Sequence, residues 1–357
     1  MKEVYLDYAA TTPVYPEVVK VVNRFMEKDY GNPGSLHDKG QQALKAISEA
    51  RKRIALEIGC RPEEVIFTSG ATEANNIALR CSGRKKILVS AIEHPSVMET
   101  AKNWAGKLVI IPVDENGFVD TGFIEKEADE NSLVSVMHVN NIFGTIQDID
   151  EIGKICRKKK ALFHTDAVQS FGKVNFGNSF DLLSASAHKI GGPKGIGILV
   201  AKKNAKLDPW TYGGGQEFGL RSGTENVPGI MGFAKALEMQ KKADWRKIER
   251  LRDKLIEGLE KLGSKINGSK DKRIWNNIHF SFPGRESEET VLALSLKGLY
   301  VSTGSACDSK KTEEYVLKAI GLKKDEIESG IRITLGWKTK EEHVDLLLKE
   351  LRKILLG

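Results

Sequence analysis

Lys189 stands in Ser186-Ala187-His188-Lys189, which runs into Gly191-Gly192-Pro193. A lysine at a strand end can form a Schiff base with a cofactor aldehyde, and a nearby serine and histidine can hold phosphate oxygens. Read alone, the string also suits a lysine on a glycine-rich surface turn. Asp166 closes ALFHTDA (161–167), with Gln169 one turn on. A carboxylate there can pair with a protonated pyridine nitrogen, and it can equally cap the next helix. Gly70-Ala71-Thr72 separates VIFTS from TEANNIAL. Free backbone N–H groups and the positive end of a helix make such a turn an anion site, a role compatible with capping by Thr72. Cys307 lies in VSTGSACDSKK among small and hydroxyl residues. A nucleophilic cysteine needs access and a stabilised thiolate, which Lys310 and Lys311 nearby would favour. Cys60, Cys81 and Cys156 fall beside or within helical patterns, where a small buried thiol is the default.

The elements that must position these groups follow from the apolar runs. Seven short runs alternate with amphipathic helices between about residues 15 and 240: 65–70, 86–91, 108–113, 133–139, 161–167, 182–188 and 195–201. Each is rich in β-branched or aliphatic residues, which predicts a mostly parallel seven-stranded sheet covered on both faces. Ligands gather at the carboxyl ends of such strands. Most of the runs end in polar residues able to do chemistry, including Ser90 with Glu93-His94, His138 with Asn140-Asn141, Asp166, and His188-Lys189. From about Trp245 the pattern changes to a basic helix, NNIHFSF (276–282), a helix near 288–297, LYVSTGSAC (299–307), IRITLG (331–336) and a final amphipathic helix. The expected division is a large domain over 15–245 and a smaller α/β domain made of 1–14 and 246–357, which carries the cysteine loop.

Composition narrows the function classes. The chain has 357 residues, 40% hydrophobic and 29% charged, as in ordinary globular proteins. No apolar run approaches the ~20 residues of a bilayer span, so no membrane role is expected. The N-terminus shows no secretory pattern. Four cysteines far apart, without a CxxC pair, fit neither a disulfide framework nor a zinc ribbon. Together these features predict a reducing, cytoplasmic setting and no protein-bound metal. The net charge of +7 comes from short scattered clusters such as Arg157–Lys160, mixed with acids, which argues against nucleic acid as a partner. Gly213-Gly214-Gly215 and Gly219 lack GxGxxG spacing, and no Walker A string occurs, so a nucleotide site is poorly supported.

Taken together, these residues resemble the class I cysteine desulfurases, dimeric fold-type-I pyridoxal-phosphate enzymes that supply sulfur for iron–sulfur clusters. The resemblance runs almost end to end: YLDYAATTP (5–13), GNPGSLH (31–37), FTSGATEANN (67–76), EHPSV (93–97), HVNN (138–141), DAVQS (166–170), HKIGGPKGIG (188–197), GGGQEFGLRSGTEN (213–226), STGSAC (302–307) and IRITLG (331–336). It implies removal of sulfur from L-cysteine, giving alanine and a persulfide on Cys307. Lys189 would hold pyridoxal phosphate and shuttle the Cα proton. His94 would stack on the ring and move protons, and Asp166 would pair with the pyridine nitrogen. Asn141 and Gln169 would contact the phenolic oxygen side, with Asn141 also near substrate. Ala71, Thr72, Ser186 and His188 would hold the phosphate, with Thr224 reaching across from a partner subunit. Arg332 would bind the substrate carboxylate, where a bidentate guanidinium suits a planar anion. The resemblance also implies a homodimer and an iron–sulfur scaffold or sulfur-carrier partner, with a cluster bridged at Cys307 as a further role.

Departures from the family pattern are local. Ile142-Phe143 follows the paired asparagines where the family usually has Glu, as in NNEIG, so the hydrogen bonding there must differ. Gly191 replaces an aromatic residue. The loop ACDSKKTEEYVL is one residue short and lacks a proline before its helix. The sequence ends at Leu356-Gly357, ahead of the extension with which many relatives dock a scaffold. A selenocysteine lyase, an aminotransferase or another pyridoxal-phosphate enzyme would keep Lys189 and Asp166 with less need of Cys307. A non-enzymatic sulfur carrier would have no use for the Lys189 site.

Overall fold

The computed structural model describes residues 3–175, 177–303 and 310–356. β1 (Val4–Tyr5) opens the chain and belongs to a small sheet considered below. All seven apolar runs then enter one sheet. They form β2 (Val65–Thr68), β3 (Lys86–Ser90), β4 (Lys107–Ile111), β5 (Ser132–Ser135), β6 (Leu162–Asp166), β7 (Leu182–Ser186) and β8 (Gly197–Ala201). The order across the sheet is β2-β8-β7-β6-β5-β3-β4. Pairs from β7 through β4 are parallel, whereas β8 runs antiparallel to both β7 and β2.

Successive side chains of a strand point to opposite faces, and the two faces feed different cores. Phe67, Leu88, Val134, Phe163, Leu183 and Ile198 pack in one apolar cluster with helices Asp38–Ile58, Ile149–Lys158 and Val227–Lys242. Their neighbours Ile66, Ile87, Leu133, Leu162, Leu182 and Leu199 pack in another, with helices Ala71–Arg80 and Pro95–Lys102. Burial on both faces is why these strands read as unbroken aliphatic runs rather than alternating ones.

The run 133–139 leaves the ladder early. β5 ends at Ser135, and the chain continues beside β6 through bonds from Val136 N to the His164 carbonyl and from His138 N to the Asp166 carbonyl.

The remaining strands are β9 (Lys265–Ile266), β10 (Asn277–Ser281), β11 (Leu299–Tyr300) and β12 (Gly330–Thr334). β10 lies between β12 and β9 and is antiparallel to both. β1 pairs in parallel with β11. A third apolar cluster joins Val4 and Leu6 to residues of these strands and of helices Trp245–Lys261 and Glu341–Leu356. Within the string 299–307, β11 covers the first two residues and Ser302 makes an isolated bridge to Arg332.

Candidate active site

A cleft of about 630 Å³ opens at the carboxyl ends of β5, β6 and β7. It brings together Lys189, Asp166, His94, Asn141, Gln169 and Arg332, and on another wall Ala71, Thr72, Ser186 and His188. Thr224 lies in an adjoining cavity with Phe67, Glu217 and Arg221, and Ser69 and Gly195 line both cavities. Cys307 lies outside the described residues.

Lys189 ends the short 3-10 turn that follows β7. Its Nζ donates to the carbonyl oxygens of Ala9 at 2.5 Å and Ala10 at 2.9 Å. Burial, reinforced by the Arg332 cation, lowers its pKa to about 8 despite the opposing pull of Asp7 and Asp166. His188 is pushed down to about 4, first by burial and then by the surrounding lysines. It is therefore a neutral ring at physiological pH, with Nδ1 3.1 Å from Thr11 Oγ1.

Asp166, the last residue of β6, is held at both oxygens. Oδ1 accepts from Val168 N at 2.9 Å and Oδ2 from Asn75 Nδ2 at 2.9 Å. The capping-like bond from Val168 uses Oδ1, and Oδ2 is held by Asn75. The helix Ala71–Arg80 begins after Gly70, which has no side chain to cap it. Thr72 is consequently a first-turn residue rather than the cap, and the N-terminal N–H groups stay available to an anion. β8 approaches closely here: a Cβ on Gly197 would lie 2.7 Å from Gly70 Cα and from the Ala185 carbonyl oxygen.

Arg332, on β12, donates from Nη2 to Asp7 Oδ1 at 3.0 Å and from Nη1 to the Asn141 carbonyl at 3.3 Å. The guanidinium is thereby fixed in orientation at the cleft. Gln169 Nε2 donates to the Ala9 carbonyl at 3.0 Å.

The sequence departures acquire physical reasons. Asn140 Oδ1 accepts from the backbone N–H groups of Ile142 and Phe143, at 2.9 and 3.1 Å, so Asn140 closes that turn itself. Ile142 and Phe143 are buried against Ile92, Val316, Leu317 and Ile320, which seats the helix Lys310–Ala319. Tyr315 of that helix donates its hydroxyl hydrogen to the Glu93 carbonyl. Gly191 has φ +81°, and a Cβ there would meet the Tyr15 ring at 2.3 Å. Tyr15, stacked on Trp337 with centroids 4.7 Å apart, occupies the space a larger residue would need.

Sequence reasoning did not single out Asp7, Asn75 or Ser96. Each lies in or next to a motif string, but its partner is distant along the chain. Asn75 Nδ2 reaches Ser96 Oγ at 2.8 Å as well as Asp166, and Ser96 Oγ lies 2.8 Å from His94 Nδ1. His94 is the N-cap of helix Pro95–Lys102, and its Nδ1 accepts from Ser96 N at 3.1 Å. Burial, with Lys189 assisting and Asp166 opposing, holds the His94 pKa below the usual histidine range. Glu93, wholly buried, accepts from Ser90 Oγ at 2.5 Å and Met137 N at 2.6 Å, and burial pushes its carboxyl up to about 8.

The Aminotransferase class-V family model matches residues 4–347. A cysteine desulfurase IscS from Dictyoglomus turgidum is 42% identical over 373 aligned positions, covering 99% of this chain and 95% of that protein. Cysteine desulfurase IscS 1 of Archaeoglobus fulgidus is 43% identical, covering 97% and 95%. The chain belongs to the cysteine desulfurases. Among solved structures, a NifS-like protein matches with a TM-score of 0.93 and 38% identity, covering 99% of this chain and 100% of that one. SspA in complex with cysteine matches with a TM-score of 0.83 and 30% identity, covering 95% and 100%.

Cysteine desulfurases of this family depend on pyridoxal phosphate, and the cleft fits that group chemically. It offers an amine of lowered pKa, a carboxylate at a strand end, a neutral histidine and an uncapped helix N-terminus. Lys189 would be the amine for the aldehyde, Asp166 the carboxylate for the ring nitrogen, and the Ala71–Thr72 turn the seat for the phosphate.

Proposed function

We propose that this cysteine desulfurase moves the sulfur of L-cysteine onto Cys307 and passes it from there to an acceptor, for iron–sulfur cluster assembly or other sulfur transfer. The observation that carries the site assignment is the convergence of Lys189 and Asp166, at the ends of neighbouring strands, with Arg332 from a distant part of the chain on one cleft. Pyridoxal phosphate supplies an aldehyde that condenses with amines and a ring that stabilises negative charge at the substrate's α-carbon. The chain supplies the rest. Arg332 binds the substrate carboxylate, oriented by Asp7, with Asn141 beside it. Lys189 takes the proton from the α-carbon, and its lowered pKa gives it a sizeable neutral fraction for that task. The Cys307 thiolate attacks the substrate sulfur. The substrate Cβ–S bond breaks and an S–S bond forms. Carbon gains the electron pair and a proton, so cysteine leaves as alanine and no outside oxidant is needed. Without reductant or acceptor, one equivalent of cysteine should give one alanine per site and one persulfide, mapped by mass spectrometry to Cys307. Sulfide release without any protein persulfide would overturn this route.

The working unit in this proposal is a homodimer. Thr224 stands in a neighbouring cavity rather than in the cleft of its own chain, as expected of a residue that completes a second subunit's phosphate site. Tyr212 and Phe218, on the same segment, are 88% and 58% exposed, the kind of apolar exposure that a subunit contact covers. A site shared between subunits links cofactor retention to association by mass action. Light scattering should find a dimer, and Thr224→Val should loosen the cofactor. A fully active monomer would refute the arrangement.

A further inference from the structure

We propose that Asn75 and Ser96 are positioning residues that hold His94 as the neutral Nε2–H tautomer, so that His94 presents a hydrogen-bond donor to the cleft rather than a base. This rests on the cofactor-site reading above and sharpens the role of one residue in it.

The argument is a count of donors and acceptors. A backbone N–H can only donate, so the 3.1 Å contact from Ser96 N to His94 Nδ1 makes Nδ1 an acceptor. The asparagine amide is oriented by Asp166, because a carboxylate oxygen 2.9 Å away requires the NH₂ of Asn75 to face it. The same Nδ2 therefore donates its second hydrogen to Ser96 Oγ at 2.8 Å. With its oxygen accepting from Asn75, the Ser96 hydroxyl has its own hydrogen for His94 Nδ1, 2.8 Å away. Two donors converge on the Nδ1 lone pair, so the proton of a neutral ring sits on Nε2. Asn75 is 0% exposed and Asp166 4%, so water does not compete for the bond between them, which fixes the amide end of the chain. The bonds at His94 lie on its open side.

The helix adds a second constraint. As N-cap of Pro95–Lys102, His94 satisfies an N–H that would otherwise lack a partner. Protonating Nδ1 would break that cap and put a cation at the positive end of a helix. A helix N-terminus keeps an active-site histidine neutral in the same way in triosephosphate isomerase. The other charged groups facing the ring are Asp166, which favours protonation, and Lys189, which opposes it. Asp7, Glu73, His188, Lys194 and Arg332 line the same cleft, and Glu93 lies one residue before the ring.

The consequence is a division of labour. Lys189 is the group with a lone pair to spare, and His94 donates from Nε2. Because bonds to the Nδ1 lone pair favour the neutral ring, removing one of them should raise the His94 pKa.

The test reads the ring directly. Solid-state ¹⁵N NMR of holoenzyme labelled at its 7 histidines, with His94 assigned by its loss in His94→Phe, should show a single Nε2–H form at neutral pH. In Ser96→Ala the titration midpoint should move up, and kcat for alanine formation should fall by about 10-fold with KM unchanged. Ser96→Thr, which keeps the hydroxyl, should restore both. A wild-type ring protonated on Nδ1, or a Ser96→Ala spectrum and titration identical to wild type, would overturn the proposal. The spectra need no turnover. An enzyme inactive on cysteine would therefore sink the functional reading while leaving the tautomer result to be judged separately.

Discussion

Replacing Lys189 with alanine is expected to cost at least ~10³-fold in alanine formation from cysteine while the protein stays folded. The size of the loss follows from two jobs falling on one amine, covalent retention of the cofactor and proton transfer at the α-carbon. The structure prepares it for both. With its pKa lowered to about 8, about a tenth of the side chain is neutral at pH 7, against roughly one part in 2,500 for an ordinary lysine near 10.4. The neutral fraction grows as pH rises through about 8, so capture of pyridoxal phosphate by the cofactor-free protein should accelerate over that window. Folding should survive because the hydrogen bonds lost, to the Ala9 and Ala10 carbonyls, lie on the cleft wall rather than in an apolar cluster. Borohydride reduction and peptide mapping provide the check. The pyridoxyl label should fall on Lys189 and not on Lys194, which lines the same cleft. A label on Lys194, or a Lys189→Ala enzyme of near-normal rate, would overturn the assignment.

Cys307→Ser should abolish alanine release yet leave cofactor and cysteine binding intact, because Lys189, Asp166 and Arg332 act on the α-carbon and the carboxylate before sulfur moves. The loss belongs in turnover and not in binding. The other thiols make poor substitutes. Burial pushes Cys60 and Cys156 up to about 12 and raises Cys81 as well, so none of them offers a thiolate at neutral pH. Cys60→Ala, Cys81→Ala and Cys156→Ala should therefore keep near wild-type activity, with at most ~1–2 kcal/mol lost from stability. An alanine assay with thermal melts separates the two effects. Full activity in Cys307→Ser, with persulfide on another cysteine, would contradict the proposed route.

The seven strands of the main sheet were legible because burial on both faces demands continuous aliphatic runs, and the polar residues at their ends marked the cleft. The direction of β8 was not legible. Ile198 and Val200 would be equally buried whichever way the strand ran, and only the connection after Lys189 decides it. Lys189, Asp166 and the Ala71–Thr72 turn could be suspected from residue type and local context, each beside a bland alternative. Arg332 could not, since its orientation depends on Asp7, 325 positions away. Asn75 and Ser96 escaped for the same reason: nothing within the string GATEANN reveals that one amide will bridge Asp166 and Ser96. The reason for Gly191 lies with Tyr15, 176 positions away, whose ring fills the space a side chain there would need. The two small sheets were harder throughout, because their strands are short and β1 and β11 have only two residues each.

The pairing of β1 with β11 also bears on how the enzyme matures during synthesis. All strands of the large sheet have been made once residue 201 is added, and Lys189 is already among them. The segment that receives its amine is also made, and Ala9, Thr11 and Thr12 can already meet Gln169, His188 and Gly191, but the residues before it lack their partners. Val4 and Tyr5 must wait for Leu299 and Tyr300, Asp7 for Arg332, and Ala9 N for the Thr334 hydroxyl 2.8 Å away. At ~5–20 residues per second, those partners emerge on the order of ten seconds later. Contacts so distant in sequence are also slow to form, since the intervening chain must be ordered first. A nascent chain thus carries its reactive lysine on a built sheet while the cleft still lacks a wall. The wall of the cleft that carries Arg332 is the last part of it to be made.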